Sequence, residues 1–158
     1  MSTTKWREFC VEDVFEVLST KTREITKYKK GTIPFITSQS VNNGIQGYVK
    51  SDEELDKGNC ITVSSLDCSS FYQENDFLGR GHGAVNKIYH KQLNKNIALF
   101  VCALIKQLGS KYSYNSQCFL NTLKKETILL PTTPALGEPD WAYMDHYIAN
   151  LRAKMELS

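Results

Sequence analysis

A chain of 158 residues with 41% hydrophobic and 23% charged side chains has the length and composition of one compact globular domain. No apolar run approaches the length of a membrane span, and the first residues lack the apolar core of a signal peptide. The five cysteines are odd in number and contain no Cys-x-x-Cys pair, which favours reduced thiols in the cytoplasm over a disulfide framework or a zinc site.

The net charge of +2 hides four blocks of alternating sign. Residues 1–50 carry +3, residues 51–80 carry −5, residues 81–125 carry +7 and residues 126–158 carry −3. A fold that brings the two basic blocks onto one face would attract a polyanion. From charge alone, a mixed and solvated surface is the simpler interpretation.

The first third of the chain predicts short strands around a basic loop. Residues 6–18 favour a strand, one turn of helix and a second strand. Residues 19–30 hold five basic groups and one acidic group without apolar periodicity, which indicates an exposed basic loop. Residues 32–36 are rich in β-formers, but Pro34 cannot donate to a ladder. An edge strand or an irregular strand is therefore expected there.

The stretch from Thr37 to Tyr48 crowds hydroxyls and amides around Asn43-Gly44, a strong turn signal. It is either an ordinary hairpin loop or a surface that reads something polar. Beyond it we expect short strands at residues 45–49, 60–63, 70–73 and 85–89, an acidic connection at 51–59 and a flexible glycine loop at 79–83.

Residues 94–108 give the clearest helix signal, with an asparagine to cap the start and a glycine to end it. The middle of this segment, residues 97–105, is apolar on every side, which is typical of a helix buried in the core. Residues 111–119 alternate weakly and predict a strand or a loop. Residues 127–130 predict a final short strand that Pro131 stops.

A last helix is expected from Pro139-Asp140, because both residues favour a helix start. Its apolar residues recur in steps of three and four, the spacing of a heptad seam: Trp141, Met144, Ile148, Leu151 and Met155. A seam this short docks on its own domain or on another chain, and spacing alone slightly favours its own domain. We therefore expect one domain over residues 1–138 and a C-terminal helix over residues 139–158.

The sequence shows no catalytic or metal-binding constellation. It lacks the glycine motifs that cradle phosphates, and its histidines, His82, His90 and His146, have no metal-ligand spacing. Pro139-Asp140 is not followed by the acidic and lysine residues of a nuclease motif. These observations indicate a binding module without cofactor or metal rather than an enzyme.

Ten short motifs occur along the chain in a recognisable order. They are Trp6-x-x-Phe9, Phe15-Glu-Val17, Gly31-Thr-Ile-Pro-Phe-Ile36, Asn42-Asn-Gly-Ile-x-Gly-Tyr48, Gly58-Asn-x-Ile-Thr-Val63, Phe71-Tyr-Gln73, Ala98-Leu-Phe100, Lys111-Tyr-x-Tyr114, Leu130-Pro131 and Pro139-Asp-Trp-x-Tyr-Met144. In this order they resemble the target recognition domains of DNA specificity (S) subunits of type I restriction–modification systems, and similar domains of type II systems. The resemblance runs from Trp6 to about Leu151.

The resemblance implies an α/β (α+β) target-recognition-type domain with a twisted mixed β-sheet, one buried helix and a C-terminal helix that leads out of the domain. It implies a non-catalytic, cytoplasmic specificity component that binds double-stranded DNA and directs a DNA methyltransferase, with or without a restriction subunit, to its target site. It also implies that the seam belongs to a spacer that binds methyltransferase subunits or forms a homodimer. That raises the interaction interpretation of the seam above docking.

This chain departs from the family in having one domain and one short helix, where S subunits have two of each. A half-subunit that works as a dimer, an excised domain and a relative with another use all remain open. One alternative function is a protein-interaction module of the same fold that does not read DNA, such as an anti-restriction decoy or a methyltransferase-binding protein.

Candidate DNA contacts are of two kinds, those to phosphates and those to base edges. The basic candidates for phosphates, each equally well explained as solvated surface, are Lys21, Arg23, Lys27, Lys29, Lys30, Arg80, Lys87 and Lys111, with His82 beside Arg80. The candidates for base reading are Thr37, Ser38, Gln39, Ser40 and Asn42, and a second set is Tyr112, Tyr114 and Asn115 with the two residues that follow. Asn43 is attributed to the turn.

Overall fold

The computed structural model describes residues 4–156, which form nine β-strands and four α-helices. The elements are β1 (Lys5–Cys10), α1 (Val11–Val14), β2 (Glu16–Ser19), β3 (Lys29–Ile36), β4 (Ile45–Lys50), β5 (Cys60–Ser64), β6 (Ser70–Gln73), β7 (Leu78–Gly79), β8 (Val85–Tyr89), α2 (Lys95–Lys106), α3 (Leu120–Lys125), β9 (Thr127–Thr132) and α4 (Trp141–Glu156). Within these residues no helix is both long and apolar enough to cross a membrane. All five cysteines are free thiols.

The strands are divided among three small sheets. The four-stranded sheet has the order β2-β8-β5-β6 and is antiparallel throughout, and β1 pairs with β9 in a two-stranded sheet. The third sheet has the order β4-β3-β7, in which β3 pairs antiparallel with β4 and parallel with β7. The α+β class is confirmed. A single sheet with both parallel and antiparallel pairing was expected. The structure has three sheets, and only the three-stranded sheet combines the two kinds of pairing.

The main hydrophobic core lies between the four-stranded sheet and the helices. Ile61 and Ile88 from the sheet, Val101 and Ile105 from α2, and Met144 from α4 are all fully buried there. Two smaller clusters fill the space around the three-stranded sheet. The three sheets and α4 are therefore held together by apolar burial, which is the dominant stabilising term in a domain of this size.

Strand β3 carries the irregularity that Pro34 predicted. Its register against β4 shifts between Lys30 and Ile33, and again between Phe35 and Ile36. Gly31 occupies the first shift, where a Cβ atom would lie 2.5 Å from the carbonyl carbon of Val49. Only glycine allows the two backbones to approach this closely.

Two expectations about helix burial and strand ends were wrong. Helix α2 begins as predicted, with Asn94 Oδ1 accepting a hydrogen bond from the Ile97 amide at 2.8 Å. Leu99 nevertheless remains 38% exposed, so the helix is buried on one face only.

Strand β9 continues through Pro131, which pairs with Trp6. A two-stranded sheet tolerates this because its strands have open outer edges. Helix α3 had no predicted counterpart.

Candidate nucleic-acid interface

The strand pairing brings five connecting segments to one edge of the structure. Strand β2 ends, and β8 begins, near the Ser19–Asn86 pair, while β5 ends opposite Val85. Strands β3 and β7 run parallel and end together at Ile36 and Gly79. We call the resulting surface the loop edge, and it comprises residues 20–22, 37–41, 65–69, 80–84 and 112–117. It therefore unites segments that are far apart in the chain.

Backbone contacts fix the centre of the loop edge. The Arg80 amide donates to the Ile36 carbonyl at 2.8 Å, which places Arg80 beside the start of the segment that follows β3. Gly81 lies against the next segment, because a Cβ atom there would be 2.4 Å from the Lys21 carbonyl carbon. Arg80 and Lys21 are both exposed. Two basic side chains from different parts of the sequence thus share one rigid frame.

The last two segments are joined to this frame by similar bonds. The Ser65 amide donates to the Ala84 carbonyl at 3.0 Å, and the Cys118 amide donates to the Ser65 carbonyl at 2.6 Å. The Ser65 hydroxyl also bonds Gln117 Oε1 at 2.9 Å. The exposed segment that contains Tyr114 is therefore tied to the turn between β5 and β6.

The segment after β3 uses its amides to hold its own shape. Gln39 Nε2 donates to the Ile45 carbonyl at 2.7 Å, and Asn42 Nδ2 donates to the same oxygen at 3.1 Å. Asn42 and Asn43 both have left-handed backbones, with φ of 53° and 56°, and Asn43 exchanges hydrogen bonds with Gln73. The turn assigned to Asn43 is confirmed. Asn42 has the same kind of structural role, whereas the residues from Thr37 to Ser40 are half-buried or exposed.

The second polar set divides into an anchored part and an exposed part. The hydroxyl of Tyr112 and the ammonium of Lys111 both bond the carboxylate of Glu126, the latter at 2.8 Å. Partial burial pushes the pKa of Glu126 upwards, but these hydrogen bonds outweigh it, so that the pKa lies below its ordinary value. Burial and the bond to Glu126 raise the pKa of Tyr112. Tyr114, 77% exposed, and Asn115 extend beyond this anchor.

Two of the predicted phosphate contacts are used inside the protein instead. Arg23 is 5% exposed, and its Nη1 lies 2.9 Å from Asp56 Oδ2, while its Nε lies 2.6 Å from Glu53. Lys87, whose side chain is 11% exposed, lies 2.8 Å from the other oxygen of Asp56. The phosphate prediction is wrong for Arg23. Lys87 has a structural role, because its ammonium neutralises the buried carboxylate of Asp56.

The remaining basic residues of the predicted loop lie away from the loop edge. Lys29 pairs with Lys50 at the beginning of β3, seven residues before Ile36. At ~3.3 Å per residue of strand, that end of the hairpin is roughly 20 Å from the loop edge. Lys27 and Lys30 are exposed at the same end. The basic stretch therefore does not form one patch with Arg80.

Residues 3–157 match the family described as type I restriction modification DNA specificity domain. The chain belongs to this family. It is 28% identical over 152 residues to S.BcgI, the specificity subunit of a type II restriction enzyme from Heyndrickxia coagulans, and the match covers 95% of this chain and 44% of that protein. The chain therefore spans less than half the length of this curated relative.

Solved structures confirm the fold of this specificity domain. The type I S subunit from M. genitalium superposes with a TM-score of 0.64 at 14% identity, covering 96% of this chain and 40% of that one. The HsdS subunit from Thermoanaerobacter tengcongensis gives 0.63 at 11% identity, covering 96% and 38%. At these identities the likeness establishes the architecture, and the chemistry of the loop edge has to be argued from this chain's own residues.

The C-terminal helix of the specificity domain is partly docked on the domain itself. The Trp141 ring packs 5.9 Å from Phe15 and 4.3 Å from His90, and Met144 is completely buried. The subunit-interface prediction is therefore wrong for Met144. Ile148 packs at the margin of the core, and the later seam residues are exposed, Leu151 by 41% and Met155 by 74%. For these the interface remains a prediction.

Two charged residues beside the loop edge escaped the sequence analysis. Glu24 lies 3.5 Å from the guanidinium of Arg80, although 56 positions separate them, so no local pattern indicated the pair. Lys106 Nζ lies 5.1 Å from the centre of the Phe71 ring, which borders Gly44. Lys106 lies on the wall of a groove of about 720 Å³ between α2, β6 and the β3–β4 hairpin.

Among residues 4–156 no group of three or more potential ligands is placed to hold a metal.

Proposed function

We propose that this specificity domain recognises a DNA sequence through its loop edge, as a non-catalytic component of a restriction–modification complex. The observation that carries the proposal is the convergence of Lys21, Arg80 and the hydroxyls of residues 37–40 on segments whose backbones fix one another. Charge that attracts phosphates and polar groups that match base edges are the two requirements of sequence-specific DNA binding.

The two requirements are met by different residues of the loop edge. Lys21 supplies positive charge to phosphates, and His82 is exposed on another segment of the same edge. Ser38 and Ser40 present hydroxyls that can donate to or accept from a base edge. Tyr114 and Asn115 extend from the neighbouring segment. The loop edge thereby combines affinity with sequence discrimination.

We propose that the partners of this domain are double-stranded DNA and a methyltransferase subunit, in the cytoplasm, with a restriction subunit in complexes that also cleave. S.BcgI is itself a specificity subunit of a restriction enzyme, and this chain belongs to the specificity-domain family. The exposed second half of α4, which includes Leu151, is the proposed contact to the partner subunit or to a second copy of the chain. A twofold pair of domains would read a split, symmetric site.

The proposal is tested by selecting from a random duplex DNA library with the purified chain at low and moderate salt. We expect one motif to be enriched, with affinity that falls steeply as salt rises. Lys21→Ala is expected to weaken binding to all sequences and to lower the salt slope by about one. Lys57→Ala and Lys91→Ala are matched controls, because both lysines are exposed beyond the opposite ends of β5 and β8.

A cellular measurement separates DNA recognition from a protein-interaction function. Genome-wide methylation is compared with and without this gene beside its methyltransferase, and one methylated motif is expected to disappear. Tight binding to the methyltransferase with no DNA affinity and an unchanged set of motifs would instead identify an interaction module or decoy.

A further inference from the structure

We propose that Arg80 reads a guanine in the major groove and that Glu24 orients it for this task. The inference rests on the proposed function and assigns one element of the DNA target, since it requires a guanine in the recognised motif. Arginine pairs with the O6 and N7 atoms of guanine through two parallel hydrogen bonds, and this contact discriminates strongly among bases.

The backbone of Arg80 is fixed on both sides, which a bidentate base contact requires. Its amide donates to the Ile36 carbonyl at 2.8 Å. The preceding residue, Gly79, is held at both polar groups, because its amide donates to Asp56 Oδ2 at 2.8 Å and its carbonyl accepts from Arg23 Nη1 at 2.8 Å. Because the backbone is fixed, only the side-chain torsions of Arg80 have to be ordered on binding, which lowers the entropic cost of the contact with a base.

Gly81, the residue after Arg80, fixes the backbone on the other side. Gly81 has no room for a side chain, since a Cβ atom would lie 2.4 Å from the carbonyl of Lys21. The backbone of Arg80 is therefore fixed by a buried ion network at Gly79 and by a tight backbone contact at Gly81, while its side chain remains exposed. A phosphate contact needs no such precision, because charge attraction tolerates a flexible side chain.

The carboxylate of Glu24 favours a base over a phosphate as the partner of Arg80. Glu24 Oε1 lies 3.5 Å from Arg80 Nη2, and both side chains are nearly half exposed. A phosphate that approached this guanidinium would also meet the negative charge of Glu24. A guanine edge is neutral and carries acceptors that match the free N–H groups of the arginine. Lys21, the neighbouring cation, forms no salt bridge within residues 4–156 and suits the phosphate role.

The first test measures discrimination with duplexes that carry the selected motif or the same motif with one guanine replaced by adenine. For the chain as it stands, the replacement at the Arg80 position is expected to weaken binding roughly tenfold to a hundredfold. For Arg80→Ala the two duplexes are expected to bind within about threefold of each other. Glu24→Gln is expected to reduce the guanine preference while leaving or raising the affinity for unrelated DNA.

The second test replaces that guanine by 7-deazaguanine, which lacks the N7 acceptor but keeps Watson–Crick pairing. The modified base is expected to weaken binding by the unaltered chain and to have no further effect on Arg80→Ala, which would place the side chain and the atom in one contact. Thermal melting of each variant shows that the fold is retained.

The outcomes separate the inference from the proposed function. The guanine assignment would be overturned, and DNA recognition left intact, if Arg80→Ala selected the same full motif as the unaltered chain. The same conclusion would follow if Arg80→Ala bound all sequences more weakly by the same factor and with a lower salt slope. A chain that selects no motif would overturn both. Lys91→Ala, which should change neither preference nor slope, is the control for nonspecific effects of charge.

Discussion

Arg23 and Asp56 form a buried ion pair, with 2.9 Å between Nη1 and Oδ2, at the base of the loop edge. Burial alone would lower the pKa of Arg23, but Glu53 and Asp56 outweigh that effect and raise it. Asp56 also receives Lys87 at 2.8 Å and the Gly79 amide at 2.8 Å. One carboxylate thus connects the segment after β2, strand β7 and strand β8.

Removing the charge of Asp56 is expected to destabilise the domain strongly. Asp56→Asn removes the counter-charge that buried Arg23 shares with the largely covered Lys87, and breaking a buried pair of this kind lowers the free energy of unfolding by about 3–5 kcal/mol. Urea unfolding followed by circular dichroism measures the change. Asp52→Asn is the control, because Asp52 is exposed and its replacement should change stability by no more than ~0.5 kcal/mol. Equal effects of both variants would refute the structural role of the network.

The two halves of α4 are expected to respond differently to truncation. Met144→Ala leaves a cavity in the core and should cost about 2–5 kcal/mol of unfolding free energy. Leu151→Ala, on the exposed part of the same helix, should cost ~0.5 kcal/mol or less in the isolated chain. If Met144→Ala proves neutral, the helix is not docked as the structure places it.

Local signals predicted elements well because their causes lie within a few residues. The Asn94 cap bonds the amide three positions on, and Asp140 Oδ1 accepts from the Tyr143 amide at 3.0 Å at the start of α4. The Pro34 irregularity and the Asn43 turn follow from the same short-range constraints. Such features need no knowledge of the tertiary structure.

Residue roles in the site depended on contacts that the sequence does not display. Arg23 looked like its neighbour Lys21, yet its partner Asp56 lies 33 positions away and buries it. The heptad spacing of α4 likewise gave no indication of where the domain surface ends, so that Met144 and Leu151 looked equivalent. The five segments of the loop edge meet because of the strand order in two sheets. That order is determined by pairing between strands far apart in the sequence, which no local pattern indicates.

Acid is expected to loosen the segment that carries Tyr114 by protonating Glu126. Because the pKa of Glu126 is lowered in the folded state, its contribution to stability is present above the unfolded pKa and is lost as pH falls through the folded pKa. Melting temperatures between pH 3 and pH 6 should therefore fall less steeply for Glu126→Gln than for the unaltered chain, since the variant has no charge to lose. Parallel curves would exclude Glu126 as the source of this dependence.

Sequence choice is expected to depend on the hydroxyls that follow β3. Replacement of Ser38 and Ser40 by alanine should leave the fold intact, because the side chains that shape this loop through hydrogen bonds are the amides of Gln39 and Asn42. Each lost base contact should reduce discrimination by about 1–3 kcal/mol.

Adding Gln39→Ala to this double variant removes a loop-shaping bond as well, so the triple variant should lose selection at the base pairs that this loop reads while keeping most salt-dependent affinity. Selection from a DNA library measures the motif, and thermal melting checks folding. Gln92→Ala with Asn150→Ala, two exposed positions away from the loop edge, should select the original motif. A folded triple variant that still selects every position of this motif would exclude residues 38–40 from base reading, and the discrimination would then have to come from Arg80 and the Tyr114 segment.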